Sequence, residues 1–365
     1  MSSKLRMIVA GGGTGGHFFP AQSIYKSLAE KGVVIKYMGS KYGIEAGYKK
    51  NNEIDMVLLN IRGIQRQFTL DGLLKNFLFP FRFFQSYYKS IKIIKDFKPH
   101  LVIGTGGYSS GLPLIAAIQR GIKTVIQEQN SYPGITTRKL ASKVDIICVA
   151  FNESINILNT SNVALTGNPI RNDLCLLNKK IAKSSYGFNV DKPVIGILGG
   201  SQGSTPFNNH FKKTINDYKQ KNIQLLWQTG KNDFDHLKSY DDKKNIRTIS
   251  FINNMNQFYS AADIIISRSG AIALSEMTFL GKAMILIPLP HSAGNHQYIN
   301  AKSIEKNGSA IIIQQSQLKL EYLEESIFNL LKDPIKINQM EKKSKEISFK
   351  NSTEKIINII MEMAK

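Results

Sequence analysis

The chain has 365 residues, 42% of them hydrophobic and 21% charged, the proportions of a soluble globular protein with room for two domains of ordinary size. No run approaches the ~20 consecutive apolar residues of a membrane span, and the two cysteines, Cys148 and Cys175, form no disulfide or metal-binding pattern. The net charge of +21 suits phosphorylated or anionic partners, yet the lysines are scattered without a nucleic-acid-binding motif, so no nucleic acid is expected as partner.

The first expected element is a strand, Leu5–Ala10, running into Gly11-Gly12-Gly13-Thr14-Gly15-Gly16-His17. It lacks the apolar region and cleavage site of a secretory signal, which makes the cytoplasm the expected compartment. A helix is expected from Pro20, a good first-turn residue, to Glu30, with Gly32 ending it. The next strand is Val33–Met38. Gly11-x-Gly13-x-x-Gly16 has the spacing of the dinucleotide fingerprint, which also requires an acid at the end of the second strand. That strand ends Tyr37-Met38-Gly39-Ser40, without one, and NAD is disfavoured. The loop still offers backbone amides to an anion, and His17 behind it is a candidate general base.

Phe77–Ile94 departs from this alternation. Pro80 can open a helix with Phe81, Phe84, Tyr88 and Ile91 on one face and Arg82, Lys89 and Lys92 around it. An ordinary core-facing helix accounts for Ile91 and Ile94. Phe77, Leu78 and Phe79 precede it, however, and aromatics crowd more than one face. An apolar patch ringed by Lys and Arg is what a peripheral membrane contact needs, here through Phe77, Phe81, Arg82, Phe84 and Tyr88.

Further strands are expected at Leu101–Ile103, before the glycine-rich run 104–111, at Thr124–Gln127, before Glu128-Gln129-Asn130, and at Asp145–Ala150, where Cys148 reads as a small core residue. After Asn168-Pro169 the pattern restarts. Val194–Leu198 leads into Gly199-Gly200-Ser201-Gln202-Gly203-Ser204, and strands at Gln224–Gln228, Ile246–Ile249 and Asp263–Ser267 follow. Each half thus begins strand, glycine-rich turn, helix, the signature of two doubly wound α/β domains. Asp233-Phe234-Asp235 has the spacing of metal-holding carboxylates but precedes an expected helix, so helix capping is the better account. Ser201 lacks the surroundings of a hydrolase nucleophile, and no metal-ligand cluster emerges.

The most informative stretch is Asp263–Asn300, a strand, a tight turn, a helix over Ile272–Leu280, and a second strand at Met284–Ile287. Arg268 falls at the strand's carboxyl end, where open α/β sheets bind ligands. Free amides at a helix start beside an arginine suit a diphosphate. Glu276, alone among apolar helix neighbours, can accept hydrogen bonds from a ribose diol. The alternative is that Glu276 points to solvent and Arg268 salt-bridges locally. The tail, Thr353–Ala364, is an amphipathic helix.

GGGTGGH (11–17), GTGGYSSGLP (104–113), EQNSYPG (128–134), GNPIR (167–171), GGSQGS (199–204), RSGAIALSE (268–276) and HQYINA (296–301) together resemble, in order and over nearly the whole chain, the segments of the MurG family. These are peripheral membrane glycosyltransferases of bacterial peptidoglycan synthesis. The resemblance implies an α/β fold of GT-B type, two Rossmann-like doubly wound domains facing a central cleft. It places an acceptor-binding, membrane-associating domain at 1–166, a UDP-GlcNAc-binding domain at 167–345, and a helix at 346–365 packing back toward the first.

The implied reaction is inverting transfer of N-acetylglucosamine from UDP-GlcNAc to the 4-hydroxyl of undecaprenyl-pyrophosphoryl-MurNAc-pentapeptide, with no metal and no cofactor, serving cell-wall formation, shape and division. By resemblance, His17 is the base, and Thr14, His17, Tyr108 and Asn130 line the acceptor side. The donor set is Thr14, Gly15, Gly16, Asn130, Arg171, Ser201, Phe251, Ile252, Met255, Arg268, Ala271, Ile272, Glu276, His296, Gln297 and Asn300, with the Ile252 backbone facing uracil. The family often has Gln at the position of His296, where His can still donate to a sugar hydroxyl. The expected location is the cytoplasmic face of the inner membrane, on an anionic lipid surface. Two other readings stand beside this one: a GT-B enzyme with a different acceptor, and a non-enzymatic basic membrane- or nucleic-acid-binding Rossmann protein.

Overall fold

A computed structural model describes residues 4–49, 54–63, 77–319 and 321–365. The chain divides into two compact units, Met1–Arg171 with Asn351–Lys365, and Asn172–Lys350.

In the first unit the described strands are β1 Arg6–Ala10, β2 Val34–Ser40, β3 Met56–Leu59, β4 Leu101–Gly104, β5 Lys123–Glu128, β6 Ile146–Val149 and β7 Val163–Leu165. They form one parallel sheet in the order β3-β2-β1-β4-β5-β6-β7. Parallel sheets are covered on both faces, which is why these strands read as continuous apolar runs. β1 shows the consequence directly. Met7 and Val9 enter one buried cluster with Phe18, Ile24, Leu28, Ile356 and Ile360, while Ile8 and Ala10 enter the opposite one with Val102, Leu112, Leu114 and Ile147. The tail helix Ser352–Met363 therefore completes the core of the first unit.

The second unit repeats the scheme with β8 Val194–Leu198, β9 Gln224–Gln228, β10 Ile246–Ile249, β11 Ile264–Ser267, β12 Ala283–Leu286 and β13 Ala310–Ile312, parallel in the order β10-β9-β8-β11-β12-β13. In each sheet the strand order reverses beside the first strand, at β1/β4 and at β8/β11. Such switch points open crevices at the carboxyl ends of the strands.

Five elements differ from expectation. The first helix spans Gly15–Glu30 and Pro20 lies inside it, because Thr14, extended at φ −131°, closes the first turn by accepting from the amides of His17 and Phe18. β3, β7 and β13 are short edge strands whose composition gives little warning of them. The aromatic helix spans Phe79–Phe97. Ile91 joins the core with Phe79, Phe83 and Tyr87, whereas Phe81, Phe84 and Tyr88 are 68%, 57% and 65% exposed and Phe77 is 83% exposed. Thus Ile91 does not share a free face with the other three.

Candidate active site

At the switch point of the first unit, the loop after β1 meets the loop after β4. Gly12 and Gly13 sit at φ +142° and +91°, Gly106 and Gly107 at +99° and +79°. A Cβ on Gly107 would lie 2.7 Å from the Gly12 carbonyl oxygen, so only glycine lets the two loops approach this closely. His17 occupies the first helical turn, half-buried. Its carbonyl accepts from Thr105 Oγ1 at 2.8 Å and its Nδ1 lies 2.9 Å from Gln129 Oε1. Thr14 and Gly16 are exposed and Gly15 half-buried beside it.

The amides of this loop are not all open to a ligand. Glu45, fully buried, reaches back to accept from Gly13 N through both carboxylate oxygens at 3.0 and 2.9 Å, and from Ser40 N at 2.7 Å. An internal carboxylate therefore occupies the place where a dinucleotide fold holds pyrophosphate. Tyr37 donates to the Gly11 carbonyl at 2.8 Å; burial, with Glu45 nearby, pushes its hydroxyl well above the usual range. The expectation that the loop offers its amides to an anion fails at Gly13 for this reason.

After β5, Glu128 organises the next loop. It accepts from Asn130 N at 3.1 Å and Nδ2 at 3.3 Å, from Gly134 N at 3.0 Å and from Thr137 Oγ1 at 2.5 Å. This fixes Asn130, whose carbonyl also accepts from Ser154. Tyr108 begins the helix Tyr108–Ile118 and stacks edge-on against Phe79 at 5.8 Å. Arg171 is exposed at the end of this unit's main segment.

The second unit gathers most of the remaining candidates at its own switch point. Gln228 grips the loop after β8, accepting from Gly199 N at 3.0 Å and donating to the Gly200 carbonyl at 2.9 Å. Ser201 stands exposed at the tip. The helix after β11 runs Ala271–Leu280, and its first internal hydrogen bond is Leu274 N to the Gly270 carbonyl. The amides of Ala271, Ile272 and Ala273 consequently have no helical acceptor, the arrangement that receives anions. Glu276 on this helix is only 5% exposed and accepts from Tyr259 Oη at 2.9 Å. It does not point to solvent.

Arg268 is 7% exposed and makes no salt bridge among the described residues. Nη1 donates to the carbonyls of Ile287 and Pro288, Nη2 to Ser204 Oγ and Gln315 Oε1, and the guanidinium lies 4.4 Å over the Phe207 ring. Burial brings it down to about 10, so it remains charged at neutral pH. Its charge braces three loops at the carboxyl ends of the strands. Asp233 likewise departs from the capping role: it accepts from Thr205 and Asn208 of a neighbouring helix at 2.9 and 2.7 Å.

Ile252 lies in the loop after β10, side chain buried, and among the described residues its backbone amide and carbonyl have no hydrogen-bond partner. Phe251 is 38% exposed before it and Met255 half-buried after it. Gln297 Oε1 accepts from Leu289 N at 2.9 Å, which leaves its NH₂ group as the donor end of the amide. Leu289 itself lines a cavity of about 170 Å³ together with Pro288, Tyr298 and Gln315. Asn300 is buried and donates to the Ser269 carbonyl. His296 Nδ1 lies 2.7 Å from the Ala293 carbonyl and must donate to it. In the neutral ring Nε2 is then an acceptor, which corrects the expectation of His296 as a donor to a sugar hydroxyl.

Sequence reading missed Glu45, Gln129, Glu128 and Tyr259. Among the described residues no group of three or more His, Cys, Asp or Glu is placed to hold a metal ion, and no helix is long and apolar enough to cross a membrane.

Residues 7–149 match the glycosyltransferase family 28 N-terminal domain and residues 194–357 its C-terminal domain. The chain is 40% identical, over 99% of its length and 98% of the relative's, to the UDP-N-acetylglucosamine--N-acetylmuramyl-(pentapeptide) pyrophosphoryl-undecaprenol N-acetylglucosamine transferase of Flavobacterium psychrophilum. It is 36% identical to the protein of the same name from Caldanaerobacter subterraneus subsp. tengcongensis, over 98% and 99% of the two chains. Its fold superimposes on the crystal structure of Acinetobacter baumannii MurG with a TM-score of 0.76 at 26% identity, covering 98% of this chain and 99% of that one.

Proposed function

Because the chain belongs to the MurG family of GT-B glycosyltransferases, we propose a division of labour among its residues. The family reaction is transfer of N-acetylglucosamine from UDP-N-acetylglucosamine to undecaprenyl-linked muramoyl-pentapeptide in peptidoglycan synthesis, and the chain is a hexosyltransferase of that kind.

The second unit grips the donor. Glu276 accepts the ribose hydroxyls, with Tyr259 holding its carboxylate in place. The amides at Ala271 and Ile272, with Ser201, take up the negative charge that grows on the diphosphate as UDP departs. The unpaired Ile252 backbone reads uracil between Phe251 and Met255, and Gln297, with Asn300 behind it, offers donors to the sugar. Arg268 acts indirectly, by bracing the loops that carry these groups. Arg171 and His296 complete the donor contacts at the edge of the set.

Thr14, Tyr108 and Asn130 of the first unit hold the acceptor, with Gly15 and Gly16 at the start of the first helix. His17 takes the proton as the 4-hydroxyl oxygen forms its bond to the anomeric carbon and the bond to UDP breaks, with inversion. The observation that carries the reading is Glu276: a buried carboxylate on an apolar helix, aimed by a tyrosine, behind three amides without helical acceptors at a sheet's switch point.

The exposed cluster Phe77, Phe81, Phe84 and Tyr88 supports peripheral attachment to an anionic membrane surface. Arg82 sits 5.4 Å over the Tyr42 ring, Lys89 donates to the Leu58 carbonyl at 3.0 Å, and Lys92 is exposed, basic side chains of the kind that meet anionic headgroups. Assaying labelled UDP-sugars against several lipid-linked and soluble acceptors in EDTA tests the whole. N-acetylglucosamine transfer to the lipid-linked muramoyl-pentapeptide is expected; transfer of another sugar, or to another acceptor in preference, contradicts it.

A further inference from the structure

Gln129 is 2% exposed and sits directly after the carboxyl end of β5. Its amide nitrogen lies 2.9 Å from two backbone carbonyl oxygens, those of Thr105 and Gln127. Backbone carbonyls only accept, so the NH₂ group must face them and the amide oxygen must face away. A flipped amide would set oxygen against oxygen twice. The surroundings hold this orientation from behind: Gln127 Oε1 accepts from the same Nε2 at 2.5 Å, Gln127 Nε2 donates to Asn168 Oδ1 at 3.0 Å, and Asn168 Nδ2 donates to the Gln129 carbonyl at 3.1 Å.

The amide oxygen so directed lies 2.9 Å from His17 Nδ1. That oxygen can only accept, and Nδ1 therefore carries a hydrogen whether the ring is neutral or charged. The lone pair of the neutral ring is left on Nε2, which has no partner among the described residues. Free histidine favours the opposite tautomer, with its hydrogen on Nε2, so the hydrogen bond selects the ring's chemistry. Packing fixes the ring as well, since a Cβ on Gly106 would fall 2.6 Å from Nδ1. Neither buried carboxylate nearby in the fold competes for this role: Glu45 is held by Gly13 and Ser40, Glu128 by Asn130, Gly134 and Thr137.

We propose that Gln129 is a positioning residue for the transfer reaction, holding His17 as the Nδ1–H tautomer so that Nε2 is the atom that accepts the proton of the attacking hydroxyl. This rests on His17 being the base. An uncharged amide in this position orients the imidazole without the permanent negative charge that an aspartate partner would place beside a departing diphosphate.

The test is nitrogen NMR of the intact protein with ring-labelled histidine, the His17 signals being identified by their loss in His17→Ala. Above the ring's titration the expected spectrum has a protonated, pyrrole-type Nδ1 and a pyridine-type Nε2; a pyridine-type Nδ1 overturns the proposal without any variant that might misfold. In Gln129→Leu the Nδ1–H signature is expected to be lost and kcat to fall about 10-fold, a fraction of what removing a general base costs, with the donor KM unchanged. An unchanged tautomer and kcat in Gln129→Leu also overturn the proposal. Wild-type transfer by His17→Ala would sink the base assignment together with it, whereas the wrong tautomer with an inactive His17→Ala would sink the proposal alone.

Discussion

Tyr259 Oη donates to Glu276 Oε2 at 2.9 Å, and both groups are buried. The carboxylate is thereby aimed before any ligand arrives. Tyr259→Phe should leave kcat nearly unchanged and raise the donor KM by about 10-fold, the ~1.5 kcal/mol of one hydrogen bond to a charged group at the low end of its range. Steady-state kinetics with UDP-N-acetylglucosamine as the varied substrate checks this; a variant impaired only in kcat would mean Tyr259 serves something other than donor binding.

Glu45 accepts three backbone hydrogen bonds in the first glycine-rich loop. Glutamine has one acceptor oxygen, and its NH₂ would oppose an amide N–H that it cannot accept from. Glu45→Gln is expected to lower unfolding stability by roughly 2 kcal/mol, the cost of an unmatched buried donor. Chemical denaturation measures it, and a variant as stable as the parent would mean the loop does not depend on this carboxylate.

Burial brings Lys282 down from 10.5 to about 8, against partial support from Glu341; its Nζ donates to the Ala262 carbonyl at 2.6 Å. Between about pH 8 and 10.5 the unfolded chain binds more protons here than the folded one, so this group makes stability rise with pH through that window and stand at its lowest below it. Lys282→Met should remove that slope and stabilise the protein at pH 7 by roughly 1–3 kcal/mol, without affecting transfer. Melting curves from pH 7 to 10.5 decide the matter; a destabilised variant would show that the buried ammonium is a net support.

Phe81 and Phe84 are exposed and Ile91 carries the core contact. Phe81→Glu with Phe84→Glu should therefore fold normally, still gain stability from UDP, and lose sedimentation with vesicles of anionic lipid. Undiminished vesicle binding would remove the aromatic cluster from the membrane contact.

These residues also show how far the sequence could be read. The two doubly wound sheets announce themselves because each parallel strand buries both faces and so reads as an apolar run before a glycine turn. Glu276 stood out as a lone carboxylate on an apolar helix. What escaped depends on contacts distant in sequence: Glu45 fills a loop 32 residues before it, and Gln129 meets His17 across 112 residues. Arg268 was legible as a charge at a strand end, but its direction was not, since Ile287, Pro288 and Gln315 turn it inward from later segments. β3, β7 and β13 are too short, and lie too near a sheet edge, to impose a pattern.

The central claim is that Glu276 in the second unit holds the donor's ribose. Calorimetric titration of UDP-N-acetylglucosamine into the parent protein and Glu276→Ala tests it most directly. A loss of affinity of about 100-fold, near 3 kcal/mol for a charged group accepting from a diol, with the variant still folded, is the predicted result; equal affinity in the two proteins would contradict it.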